Sequence, residues 1–306
     1  MKKYFAMLLV CVLMLNLSVP AYAAETENDL IEGEAPAVEI VTTVLENSEC
    51  TQTIVVSEKE MVEEMLDNEV ITRTELNDKL ATLSEQSEES LRESGYNEDQ
   101  IDVIKNYDPD DDAFEYVFNS TDAGATLTFQ YGLAGENTKK DILIAYDMKW
   151  SSCPTFCFTD SFGIGWIAAN SNSVEVVTKT DSSMAQVIYY TVDGENAGLY
   201  RDVDMDTSSN GVVIGNPVLG KASGNYGKHI SGVTQISTQS DSYSIETIHL
   251  FVAYAHTTVT FVFSSQITLE WKRVGATFEF YPTTKQELIV EDDHTFKYNA
   301  QNIITG

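Results

Sequence analysis

Two periodicities divide the chain. Between Ser57 and Asp112 apolar residues recur every three to four positions: Met61, Val62, Met65 and Leu66, then Leu76, Leu80, Leu83 and Leu91, then Ile101 and Ile104. That spacing predicts amphipathic helices. Each run opens with capping chemistry: Ser57-Glu58-Lys59-Glu60, Thr72-Arg73-Thr74-Glu75 and Asn97-Glu98-Asp99-Gln100. The first residue accepts from an orphan N–H, and the acid or amide three positions on reaches back. Gly95 suits a left-handed stop between the second and third helices.

From Phe114 the period falls to two. Leu127, Phe129 and Tyr131 alternate with Thr126, Thr128 and Gln130; Ile267, Leu269 and Trp271 alternate with Thr268, Glu270 and Lys272. Ala123-Gly124, Asp193-Gly194, Asn210-Gly211 and Ser223-Gly224-Asn225 punctuate these runs. About ten short strands with no helix between them predict an antiparallel β-sandwich over 113–306, preceded by a small helical segment over 57–112, α+β overall. Residues 24–56 are acidic, poor in aromatics and interrupted by Pro36, the composition of a largely disordered leader, although Val38–Val41 and Thr53–Val56 have strand-forming residues.

The first 23 residues have a different logic. Lys2 and Lys3 precede an apolar run from Tyr4 to Leu15, Pro20 breaks the helix, and Ala21-Tyr22-Ala23 offers small residues to a peptidase. This is the order of a bacterial secretory signal peptide cleaved after Ala23. Its apolar run is about 12 residues, whereas a bilayer takes roughly 20, so no stable membrane anchor is expected. With neither a Leu-Pro-x-Thr-Gly motif nor an apolar tail before Gly306, the expectation is free, extracellular secretion.

Charge narrows the partners. The chain carries 48 acids against 18 bases. Cleavage removes two lysines and no acid, which takes the formal charge from −30 to −32. Such a field repels phosphate backbones and excludes nucleic acid as a natural partner. Three cysteines remain after cleavage: Cys50, Cys153 and Cys157. An oxidising compartment favours a disulfide between Cys153 and Cys157, or from one of them to Cys50. Three residues separate the nearer pair, against two in thioredoxin-type exchange.

The Gly-Tyr-x-x-x-Gln-Ile run at 95–101, with Trp150-Ser-Ser-Cys-Pro through Asp160 to Trp166, resembles exported proteins of Gram-positive bacteria. The resemblance implies the two-part architecture, a short helix before an all-β region, and assigns no site.

Candidate chemistry is sparse. Asp202, Asp204, Asp206, Ser208 and Asn210 set hard oxygens at alternate positions, a pattern able to converge on Ca²⁺. The EF-hand template fails, because Thr207 and Val213 stand where Gly and Glu are needed. Asp108 to Asp112 form a second acidic cluster, readable as a linker. Phe156, Phe158, Phe162 and Trp166 around Asp160 are either a carbohydrate-stacking platform or sandwich core. His229, His249, His256 and His294 stand singly, and no nucleophile-elbow or zinc-helix motif occurs. The expected function is a secreted, non-enzymatic module binding an extracellular protein or carbohydrate. The alternatives are a secreted hydrolase with a dispersed active site, or a toxin or pore former using the alternating Thr-rich stretch 244–265.

Overall fold

The computed structural model describes residues 29–47, 51–67, 72–93, 98–120, 125–135, 139–152, 154, 159–191, 193–207, 211–220, 224–256, 269–274, 277–282, 288–299, 301 and 303–306. In chain order these form β1 (Ile31–Glu32), α1 (Pro36–Asn47), β2 (Thr51–Ser57), α2 (Glu58–Asp67), α3 (Arg73–Ser84), α4 (Glu88–Glu93), α5 (Glu98–Lys105) and α6 (Ala113–Ser120). The strands that follow are β3 (Thr126–Gly135), β4 (Asp141–Trp150), β5 (Ser161–Ala169), β6 (Glu175–Val176), β7 (Thr178–Tyr190), β8 (Asn196–Asp202) and β9 (Asp204–Asp206). The last are β10 (Val212–Asn216), β11 (Tyr226–Thr238), β12 (Thr247–His256), β13 (Leu269–Val274), β14 (Thr277–Pro282), β15 (Leu288–Tyr298) and β16 (Ile304–Thr305).

Two antiparallel sheets make a sandwich. The first runs β1-β8-β7-β11-β4-β3-β2, the second β16-β15-β12-β5-β10-β9 with β6 added to β5. Alternate residues of facing strands fill the space between them: Leu127, Phe129, Tyr146 and Ile230 from the first sheet meet Phe162, Trp166, Leu250 and Tyr254 from the second. The helices join this same core through Met61, Leu80, Leu83, Ile104 and Phe114, all but inaccessible to solvent. The helical segment is therefore continuous with the sandwich interior.

The capping boxes form where the sequence places them. Ser57 and Glu60 exchange backbone-to-side-chain bonds at 2.9 and 3.1 Å, and Thr72 and Glu75 at 2.8 and 3.2 Å. The cap expected at Asn97 lies outside the described residues, as do Gly95 and the signal-peptide segment 1–23. Residues 113–120, assigned from the sequence to the β region, instead form α6. Asp112 Oδ1 accepts from the Glu115 N–H at 3.0 Å, and Phe114 and Val117 bury one helical face.

The expectation of a disordered leader over 24–56 fails for residues 31–47 and 51–56, which reach from one edge of the first sheet to the other. β1 pairs with β8 at one edge, α1 crosses the outer face, and β2 pairs with β3 at the opposite edge. Pro36 is the first residue of α1, where its missing N–H costs nothing, so it starts this helix. Ile40, Val41 and Val44 then line one face and pack on Ala145 and Val233 of the sheet. The second sheet's outer face carries Val212, Ile214, Phe251, Ala253 and Ala255, with Trp271 of the β13–β14 hairpin packed against them.

Candidate functional site

A row of polar residues crosses six strands of the first sheet's outer face. Asp202, Gln186, Ser231, Asp147, Gln130 and Thr53 stand in register from β8 to β2. Gln186 joins two of its neighbours: Nε2 donates to Asp202 Oδ1 at 2.8 Å, while Oε1 accepts the Ala37 N–H at 2.9 Å. That second bond satisfies an orphan donor in the first turn of α1. At the far end Gln130 Nε2 donates to Thr53 Oγ1 at 3.3 Å.

The centre of the row holds a serine, a histidine and an aspartate. His229 follows from β11 geometry: it precedes Ser231 by two positions and so shares its face. The register shift between Gly227 and His229 marks a bulge in the pairing with β7. His229 Nε2 lies 2.7 Å from Asp147 Oδ1 and 3.1 Å from Ser231 Oγ, and Ser231 donates to the same Asp147 oxygen. His229 Nδ1 faces the Tyr190 hydroxyl at 3.5 Å. Burial, then the Asp147 charge, holds the Tyr190 phenol above its ordinary pKa. Lys228 Nζ sits 4.7 Å from the Tyr190 ring centroid and donates to the Ser151 carbonyl at 3.3 Å.

A nucleophilic relay needs serine on one ring nitrogen and carboxylate on the other, so that the base takes a proton while its far side is held. Here Ser231 and Asp147 both address Nε2, and the Ser231 hydroxyl points its proton at the carboxylate. The arrangement is a cross-strand hydrogen-bond cluster, with Ser231 fully buried.

A second histidine is sealed inside the sandwich. His256 ends β12 and has no exposed surface. Its Nδ1 lies 2.9 Å from Asp160 Oδ2, and its Nε2 faces Glu58 Oε1 at 3.5 Å, an ion contact. Tyr254 donates its hydroxyl to the same Asp160 oxygen and accepts from Trp150 Nε1 at 3.2 Å. The Trp150 ring lies 4.8 Å from the imidazole, tilted against it. Burial disfavours the imidazolium, but the Asp160 and Glu58 carboxylates outweigh it and push His256 up to about 10. The cluster joins the start of α2, the entry to β5 and the end of β12. Closed to solvent, it is a structural tie.

The sequence candidates are dispersed. Asp202 closes β8 in the first sheet and bonds Gln186, whereas Asp204 and Asp206 lie on β9 in the second, opposite Asn216 and Ile214. Ser208 and Asn210 lie outside the described residues, among which no three His, Cys, Asp or Glu side chains converge to hold a metal. Cys50, Cys153 and Cys157, with Phe156 and Phe158, also fall outside. Phe162 and Trp166 are core residues, the latter donating Nε1 to Thr178 Oγ1 at 2.9 Å. In the 108–112 cluster, Asp112 caps α6 and pairs with Arg73 at 2.9 Å. The pairings of His229 with Asp147 and of His256 with Asp160 have no signature in the sequence, because strands distant in the chain create them.

No protein-family model matches the chain, and no curated protein matches it. Among solved structures, it is similar to the collagen-binding subdomain of the Enterococcus faecalis surface protein ACE, at 10% identity over 54% of this chain and 91% of that one, TM-score 0.27. A collagen-binding domain from a Staphylococcus aureus adhesin gives 9% identity over 51% and 87%, TM-score 0.24. Clostridium perfringens delta-toxin gives 8% over 60% and 89%, TM-score 0.21. Likeness at this level of superposition carries no argument about this chain's ligand.

Proposed function

We propose that this chain is an exported, non-enzymatic module that binds an extracellular protein or carbohydrate. The observation that carries the reading is the wiring of His229. Ser231 and Asp147 share one ring nitrogen, so this serine, histidine and aspartate make a scaffold rather than a proton relay. The other buried histidine, His256, is closed to any substrate. The signal-peptide order of residues 1–23 and the net charge of −30 support export and solubility. Among the described residues no helix is long and apolar enough to cross a membrane.

The test is a purified chain applied to immobilised extracellular proteins and glycans, alongside ester, peptide and glycoside substrates. Saturable binding without turnover is expected. Turnover that disappears in Ser231→Ala or Asp147→Asn overturns the reading.

A further inference from the structure

Among the described residues five strands edge the two main sheets, and four of them offer little to a partner, β6 being a two-residue strand on β5. β1 and β16 have two residues each, while β9 has three, of which Asp204 and Asp206 are charged. Short and charged edges are the usual means of preventing strand addition. β2 differs. Its seven residues, Thr-Gln-Thr-Ile-Val-Val-Ser, contain no charge, proline or glycine, and they pair with β3 without a register shift.

The direction of its free backbone groups follows from one bond. The Glu58 N–H donates to the Ala125 carbonyl at 2.9 Å, which makes Glu58 and Ala125 a hydrogen-bonded pair. Such pairs alternate along an antiparallel ladder, so residues 52, 54 and 56 bond to β3 while 51, 53, 55 and 57 point away. The Ser151 N–H donating to the Thr126 carbonyl at 2.9 Å agrees, since Thr126, opposite Ser57, turns toward β4. The Ser57 N–H is taken by Glu60 Oε2. Among the described residues, Thr53 and Val55 are therefore open rungs at the end of the sheet. Both side chains are exposed, and Val55, at 63%, is the most exposed of the large hydrophobic residues described.

We propose that β2 is a docking edge that takes an extended, β-branched strand of a basic extracellular protein, lengthening the first sheet. This rests on the binding-module reading and names the partner's chemistry. Charge selects the occupant. Glu46 precedes the strand, and Glu60 and Glu63 follow it on α2, all three exposed. Lys59 of the same helix lies 5.6 Å from the Phe114 ring centroid. Lys149 lies in register with Val55 through Thr128, two strands in, roughly 10 Å from the edge. A second copy of this chain would bring another net charge of −30 to the same edge. A strand flanked by lysine or arginine meets complementary charge along its length.

The probe is a labelled peptide of alternating Thr and Val with two lysines at each end, compared by anisotropy with the same core flanked by glutamates. The full-length chain is expected to bind the lysine peptide, more weakly as salt rises, and the glutamate peptide about tenfold less tightly. Val55→Pro removes one outward N–H and none of the bonds to β3; it should weaken binding by about tenfold with the melting temperature held. Val55→Lys keeps the N–H and should weaken binding through charge. Equal binding by Val55→Pro, or none by wild type, overturns the proposal. Self-association lost in Val55→Pro, without peptide binding, overturns it in favour of a second copy. Loss of peptide binding with array binding intact strikes the edge alone; failure on the arrays strikes the module reading itself.

Discussion

His256 and Asp160 lie 96 positions apart in the chain and 2.9 Å apart in space, both sealed from solvent. Removing Asp160 leaves the buried imidazolium with the Glu58 carboxylate alone, at 3.5 Å, so Asp160→Asn should cost about 3 kcal/mol in urea unfolding. The histidine's folded pKa, about 10, lies above its ordinary 6.5. Its contribution is then complete below about pH 6.5 and lost progressively as pH rises toward about 10. Urea midpoints measured across that window should fall in the wild type and stay flatter in His256→Gln.

Gln186 ties the start of α1 to β7 across 149 residues. Gln186→Ala leaves the Ala37 N–H and Asp202 without this partner. We expect a loss of about 1–3 kcal/mol. Faster hydrogen exchange should be confined to residues 36–47 and their seat on the sheet.

Because the helices share the sandwich core, they should not melt separately. Leu80 is completely buried, and Leu80→Ala should cost about 2–5 kcal/mol. The loss should appear equally in helical circular dichroism and in tryptophan fluorescence, as one transition. Two resolved transitions would show that the helical segment folds on its own.

Gly232 lies opposite Tyr146 in the β4–β11 ladder, and a Cβ placed there would meet the tyrosine ring at 2.2 Å. The ring is buried and packs 5.2 Å from Phe162, which limits its escape. Gly232→Ala is expected to cost about 1–3 kcal/mol. In a Tyr146→Leu background the same change should cost less, and a double-mutant cycle of chemical denaturation measures the difference.

The local grammar of the chain was legible where it is self-contained. The boxes at Ser57 and Thr72 need only neighbours three residues away, and the alternation at Leu127, Phe129 and Tyr131 shows directly which residues face the core. Two elements were obscured by composition. Pro36 suggested a break although it occupies a helix's first position, and Phe114 suggested the first strand although Val117, three residues on, completes a helical face. The histidine clusters had no sequence signal at all. Asp147 meets His229 across 82 residues because β4 and β11 are neighbours, and spacing along the chain holds no record of that adjacency.

The segment from β1 to β2 has a consequence for the order in which the protein assembles. It is the earliest described part of the chain, yet β1 pairs with Tyr200 and Leu199, and α1 rests on Val233. The docking sites of β1 and α1 are thus synthesised more than a hundred residues after them, and closing such long loops slows folding. The N-terminal segment can seat only after the strands beneath it have paired, which makes its docking a late step and keeps the nascent chain open while most of its length is still being made.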